Sequence, residues 1–274
     1  MRARLRRLAF AAATLFGLPR GFFIPYRYAA SAAAADYPAL RPQFAAAEPR
    51  FAALLEAIEA YRGDLLSIAA GDGPARFDQD WFPRLDAAAA YALVRRERPR
   101  RIVEIGSGHS TRFLARAVAD GSLATEITCI DPAPRAAIAA LGVHHRPELL
   151  AAADPDLFAG LAAGDILFID SSHIAMPGTD VDRLVLDVLP RLAAGVLVHV
   201  HDIFLPDAYP PEWAWRGYNE QLLVGALIQG GAFDLVFASR YAATRMAHRL
   251  EGGVLAALPL ATGAHETSLW LRKR

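Results

Sequence analysis

The chain has 274 residues, 54% of them hydrophobic, so it can bury a sizeable core without a disulfide or a structural metal. Basic and acidic residues both number 29, and the formal charge is zero. A non-specific nucleic-acid binder needs a cationic surplus to displace counterions, so no nucleic-acid partner is expected. The single cysteine, Cys129, excludes an intramolecular disulfide and suits a reducing, cytoplasmic compartment. Within Ile127-Thr128-Cys129-Ile130 it reads as a small buried hydrophobe.

Residues 1–35 form a basic, apolar arm. Arg2, Arg4, Arg6 and Arg7 precede the apolar run 8–18, Pro19-Arg20 interrupts it, and Gly21-Phe22-Phe23-Ile24 follows. No acid precedes Asp36. The run is shorter than the roughly 20 apolar residues that span a bilayer. Three readings stand side by side. The arm can pack on the domain, or lie on the inner membrane surface with arginines at the headgroups. It also has the basic start, short apolar stretch and alanines (29–35) of an export signal.

Residues 36–99 read as a helical extension. Phe51, Leu54, Leu55, Ile58 and Tyr61 recur at helical spacing, predicting a helix over 37–63. Gly71-Asp72-Gly73-Pro74 is a loop, and a second helix over 83–98 ends before Pro99. From residue 100 to 274 strands and helices alternate. Strands are predicted at 101–105, 124–130, 143–146, 165–169, 196–200, 233–237 and 268–271. Helices are predicted at 110–120, 136–140, 155–163, 180–192 and 219–229. The strands are apolar throughout rather than alternating, as in a parallel sheet covered on both faces. The fold class is therefore α/β, a doubly wound, mostly parallel seven-stranded sheet with a helical N-terminal extension.

The segment Val103-Glu104-Ile105-Gly106-Ser107-Gly108-His109-Ser110-Thr111 runs from strand through a glycine turn into a helix. Glycines allow a sharp turn and close approach of a ligand, and the helix amides behind favour negative charge. The dinucleotide fingerprint requires a third glycine where Thr111 stands. Asp131 closes the next strand, where an acid can accept hydrogen bonds from ribose hydroxyls, or cap the segment opened by Pro132. Glu104 is an acid inside an apolar strand, which is costly unless paired, and a cationic amino group of a cofactor would pair it. Ser107, Gly108 and Ser110 complete the candidate cofactor loop. His109 either contacts the cofactor or caps the turn, and His144-His145 reads as a solvated edge.

The string from Glu104 to Thr111 resembles motif I of class I S-adenosylmethionine (SAM)-dependent methyltransferases. Asp131 matches the acid closing their second strand. Ile169-Asp170-Ser171-Ser172-His173 and Val196-Leu197-Val198-His199-Val200-His201-Asp202-Ile203 resemble two further stretches of the bacterial methyltransferase domain 24 group. The resemblance covers about residues 100–240. It implies a Rossmann-like methyltransferase fold and SAM as cofactor, and names no acceptor.

In open α/β sheets ligands bind outside the carboxyl ends of the strands, where Asp170, His173, His201 and Asp202 are expected to converge. The resemblance to catechol-type and macrocin-type O-methyltransferases implies a divalent ion, Mg2+ or Mn2+, on Asp170, His201 and Asp202. Such an ion would lower the pKa of an acceptor hydroxyl. The metal-free reading makes His173 or His201 a general base oriented by Asp170 or Asp202. A third reading is purely structural, with the acids capping and the histidines bonding locally. Residues 206–219, rich in Pro and aromatics, form a long loop that reads as a lid or acceptor wall, or as a surface loop packed on the extension.

The expected activity is O-methylation of a small hydroxylated molecule. The alternatives are an NAD-linked oxidoreductase, against which the missing third glycine speaks, and a non-catalytic SAM-binding partner subunit.

Overall fold

The computed structural model describes residues 2–16, 28 and 34–274. The expected interruption at Pro19-Arg20, the run Gly21-Phe22-Phe23-Ile24 and most of the alanines at 29–35 lie outside the described residues.

Four helices precede the sheet: α1 (Arg2–Leu15), α2 (Arg41–Glu59), α3 (Arg62–Ala69) and α4 (Arg84–Glu97). The helix expected over 37–63 is thus two. α2 starts with a proline in its first turn and closes at Ala60, before Gly63 in α3. α4 is buried along 85–94, and its alanines let neighbouring elements approach closely. It ends at Arg98, which is left-handed (φ 50°) just ahead of Pro99.

The strands are β1 (Arg101–Ile105), β2 (Glu126–Ile130), β3 (His144–Arg146), β4 (Ile166–Ile169), β5 (Leu197–Val200), β6 (Phe233–Ala238) and β7 (Leu269–Lys273). They make one seven-stranded sheet in the order β3-β2-β1-β4-β5-β7-β6. β1 to β5 run parallel, whereas β7 pairs antiparallel with both β5 and β6. A parallel dinucleotide-binding sheet has the order 3-2-1-4-5-6, without such a reversed insertion. β4 and β5 are buried at every position, which explains their unbroken apolar sequence.

The intervening helices are α5 (His109–Asp120), α6 (Asp156–Ala159), α7 (Asp180–Arg183), α8 (Leu189–Arg191), α9 (Glu220–Gln229), α10 (Ser239–Arg245) and α11 (Gly253–Ala257). Between α7 and α8 a π-helical turn, Leu184–Val188, widens the helix expected over 180–192. Pro190 follows directly. A proline lacks the amide for a regular bond and its ring crowds the preceding turn, and here the Leu189 amide reaches back to Leu184. No helix forms over 136–140, which lies between Pro132 and Pro134 on one side and Gly142 on the other, residues that favour turns. α10 and α11 were not expected. Both are short and fall where no apolar period stands out.

Phe44, Phe51 and Ile58 of α2 belong to the same apolar core as α4 and the sheet. Phe51 packs edge-on against Phe237 of β6, and Phe82 against Phe168 of β4. The strand order reverses between β1 and β4. Gly106 therefore stands next to Asp170, at the topological switch point where such sheets bind ligands.

Candidate active site

The Asp170 amide bonds the Ile105 carbonyl and the His201 amide bonds the Ile169 carbonyl, each continuing the ladder one step past the strands. All the candidate residues therefore emerge at one sheet edge. Gly106 is left-handed (φ 76°), and a Cβ there would run into the backbone carbonyl oxygen of Asp170. Only glycine lets β1 and β4 lie this close while the chain turns.

A cavity of about 650 Å³ opens at this edge, lined by Gly106, Ser107, Asp131, Asp170, Asp180 and Arg183 among others. That volume lies within the range of small-molecule sites. Asp131 faces it while bracing the loop: Oδ2 accepts from the Ser107 amide (2.7 Å) and hydroxyl (3.1 Å), and Oδ1 from the Ala133 amide (2.7 Å). A carboxylate offers about four acceptor positions, so capping and ribose binding are compatible. The wall thus supplies a backbone turn and a carboxylate of the kinds a nucleoside requires.

Of the other expected cofactor residues, Glu104, Gly108 and Ser110 do not line this cavity. Glu104 is fully buried beneath the loop. Its carboxylate accepts from Ser110 Oγ (2.6 Å), Thr111 Oγ1 (2.7 Å) and Cys129 Sγ (3.2 Å). Burial pushes its carboxyl up to about 7, against these hydrogen bonds, which favour the charge. Glu104 therefore anchors the loop from inside. The Gly108 amide donates to Thr111 Oγ1 at 2.9 Å, so Thr111 closes the turn in place of a third glycine. His109 is the first residue of α5, and burial foremost lowers its pKa. His144 and His145 lie exposed on the edge strand β3.

Asp170, His173, His201 and Asp202 do come together. His173 Nε2 lies 3.2 Å from Asp170 Oδ1 and 3.5 Å from Asp202 Oδ2. His201 Nδ1 lies 3.6 Å from both Asp170 Oδ1 and Asp202 Oδ1. His173 (φ 61°) and Asp202 (φ 56°) are both left-handed, a conformation that non-glycine residues adopt mostly where the surroundings enforce it. Two further acids complete the cluster. Glu220 Oε2 lies 2.9 Å from His173 Nδ1 and accepts from Ser171 Oγ. Asp86 Oδ2 lies 3.4 Å from His201 Nε2, and its carboxylate also accepts from the Thr267 and Ser268 amides, each at 2.9 Å.

The electrostatics follow from this pairing. Burial alone would disfavour charge on both imidazoles. For His173 it is outweighed by hydrogen bonds to Asp170 and Glu220 and the charge of Asp202, which raise its pKa well above 6.5. For His201 it is outweighed by the charge of Asp202 and by Asp170 and Asp86, with the same direction. Burial would likewise raise Asp170, but the two histidines hold it well below the usual carboxylate range. His199, two residues before His201, lies stacked on Phe168 at 3.7 Å, and burial drives its pKa well down.

Among the described residues no set of three His, Cys, Asp or Glu side chains is arranged to hold a metal ion. Every ring nitrogen of His173 and His201 faces a carboxylate. In the protonated rings these nitrogens donate N–H to the carboxylates, and a lone pair is freed only once a ring has lost its proton. The expected ligand set Asp170, His201 and Asp202 is therefore drawn together by proton-mediated pairing.

A second, smaller cavity of about 180 Å³ adjoins the cluster, lined by Trp81, Asp170, His201, Asp202, Trp213 and Arg216 among others. Asp170 and Arg135 line both cavities. The loop over 206–219 supplies one wall through a 3-10 turn, Pro211–Arg216. Arg216 lies 3.9 Å from the Trp213 ring centre and 3.8 Å from Asp202. The loop also touches the extension, since the Ala208 amide donates to Asp36 and the Tyr37 amide to the Pro206 carbonyl.

The sequence reading missed Asp86, Glu220 and Arg216. Asp86 had one signal, as the lone acid in the apolar stretch 85–94. Glu220 looked like ordinary polar decoration of a helix start.

A family model described as a methyltransferase domain matches residues 103–203. No curated protein matches the chain. Among solved structures, an O-methyltransferase from Bacillus cereus in complex with SAH is 14% identical, with a TM-score of 0.43, 78% of this chain covered and 91% of that one. The SAH-bound Podospora anserina methyltransferase PaMTH1 is 16% identical, with a TM-score of 0.41 and coverages of 93% and 99%. A methyltransferase from Geobacter sulfurreducens is 16% identical, with a TM-score of 0.40 and coverages of 77% and 86%. These likenesses are loose in sequence and backbone, whereas the family match spans the glycine loop, Asp131, Asp170, His173, His201 and Asp202 together. Across residues 103–203 the chain is therefore similar to a methyltransferase domain.

Proposed function

We propose that this protein methylates a hydroxyl oxygen of a small molecule seated between Trp213, Arg216 and Asp202, with His201 as the proton acceptor. The observation that carries this reading is the adjacency of the two cavities, which share Asp170 and Arg135. A cofactor in the larger cavity and an acceptor in the smaller one would meet beside Asp170. SAM, when bound, supplies the methyl group as a sulfonium. Gly106, Ser107 and Asp131 hold the nucleoside part. Trp213 and Arg216 orient the acceptor, so that proximity supplies much of the rate.

The hydroxyl proton must leave as the new C–O bond forms and the C–S bond breaks. His201 faces the acceptor cavity and is flanked by Asp170 and Asp202, which strengthen its hold on a proton. Asp86, behind its other nitrogen, fixes the ring. The acceptor cavity would hold a single ring, and its aromatic walls suit a flat or sugar-like face.

Calorimetry with SAM and with NAD, followed by methyl transfer to simple phenols and glycosides with and without Mg2+ or Mn2+, tests this reading. Binding of SAM with silence toward NAD, and turnover indifferent to added ion or chelator, is expected. A signal with NAD alone would overturn the methyltransferase reading. Turnover that requires a divalent ion would overturn the role of His201.

A further inference from the structure

Helix α1 carries an apolar stripe that nothing among the described residues covers. Leu5, Leu8 and Leu15 recur at spacings of three and seven residues, which places them on one face. They are 60%, 66% and 85% exposed, and Phe16 at the helix end is 84% exposed. The helix rests on the domain by a different side. Phe10 and Ala13 are partly buried, and the Arg6 guanidinium lies 5.1 Å from the Trp215 ring centre. Arg4 and Arg7 are exposed. The arm holds six arginines and no acid before Asp36, in a chain whose total charge is zero. A continuous exposed apolar stripe on a soluble domain marks an interaction surface. Arginines beside such a stripe match an anionic lipid interface, where the apolar side chains enter the acyl boundary and the guanidiniums meet headgroup phosphates.

We propose that α1, with Trp215, is a docking element that lays the protein on an anionic lipid surface. A groove of about 620 Å³ separates Arg7, Phe10, Ala11 and Leu15 of α1 from Ala214, Trp215 and Gly217, so the helix and the Pro211–Arg216 turn form one patch. The same turn presents Trp213 and Arg216 to the acceptor cavity. Docking through α1 therefore brings the mouth of that cavity to the lipid surface. No helix among the described residues is long and apolar enough to cross a membrane, and the contact is interfacial.

The test is co-sedimentation of the full chain with phosphatidylcholine vesicles with and without phosphatidylglycerol. Binding only to the phosphatidylglycerol vesicles, weakened by salt, is expected. The triple variant Leu5→Ser, Leu8→Ser, Leu15→Ser is expected to lose at least about tenfold in partitioning, and Arg4→Ala with Arg7→Ala to lose the preference for anionic lipid. Both sets lie at exposed positions, so their unfolding midpoints should match the parent. Failure of the parent chain to bind anionic vesicles, or undiminished binding by the triple variant, overturns the proposal. So does light scattering that shows a dimer without vesicles which the triple variant turns into a monomer, because the stripe would then join two copies. Vesicle binding is scored without turnover, so its failure leaves the methyl-transfer reading untouched.

Discussion

His173 Nδ1 lies 2.9 Å from Glu220 Oε2, with both side chains only 2% exposed. A raised-pKa imidazole held between Glu220, Asp170 and Asp202 is a buried ion pair in which each partner needs the other. Glu220→Ala leaves the buried Nδ1–H of His173 without its acceptor, although Asp170 and Asp202 remain beside Nε2, and is expected to lower the unfolding free energy by about 1–3 kcal/mol. Urea unfolding at neutral pH measures this. A loss below about 1 kcal/mol, the value of an exposed pair, would mean that the buried pair does not form.

Asp202 and His201 should separate binding from turnover. Asp202 accepts from Thr267 at 3.2 Å and faces the acceptor cavity. Asp202→Ala is expected to leave the SAM Kd within about threefold while kcat falls by about 100-fold or more, the scale of a lost acid–base group. A lost SAM affinity would move Asp202 out of the acceptor side. The parent enzyme's kcat should rise with pH on the alkaline side of 6.5, because the raised pKa of His201 keeps it protonated below that. A kcat already maximal at pH 6 would exclude His201 as proton acceptor.

Gly106→Ala should affect both fold and cofactor. The added Cβ meets the backbone carbonyl of Asp170, just past β4, and the left-handed φ adds about 1–2 kcal/mol of strain. Expected are a lowered unfolding midpoint and no calorimetric signal with SAM. Ser107→Ala is the control, losing one hydroxyl bond to Asp131 while the amide bond remains. Equal SAM affinity in Gly106→Ala and the parent would contradict the packing of β1 on β4.

Glu104 makes stability depend on pH in a defined direction. Burial, its largest cause, raises its folded pKa to about 7 from an ordinary value of 4.5. The folded state then binds the proton more tightly than the unfolded one. This contribution is complete below about pH 4.5 and is lost as pH rises through about 7. Glu104→Gln should flatten this fall between those limits, as read from unfolding free energies across that range. An unchanged slope would show that another group titrates there.

How far the sequence carried can be judged residue by residue. The strands and the glycine turn were legible because periodicity and turn chemistry are local. Asp170, His173, His201 and Asp202 were legible because the ends of parallel strands share one edge, so residues at strand ends meet whatever the loops do. The partners that set their protonation were not. Asp86 reaches His201 across 115 positions of sequence, and Glu220 reaches His173 across 47. Nothing local distinguishes such acids from helix-start decoration.

The reversed strand β7 also sets an order of assembly. β5 and β6 both pair with β7 and not with each other, so neither can complete its ladder before residues 269–273 have been made. Thr267, which holds Asp202, and Ser268, which holds Asp86, immediately precede that strand. On the ribosome the cofactor half, β1 to β4, can gather from contacts close in sequence, whereas the reaction centre waits for one of the most distant closures in the chain. A growing chain could thus acquire its nucleoside cavity well before it acquires the means to use it.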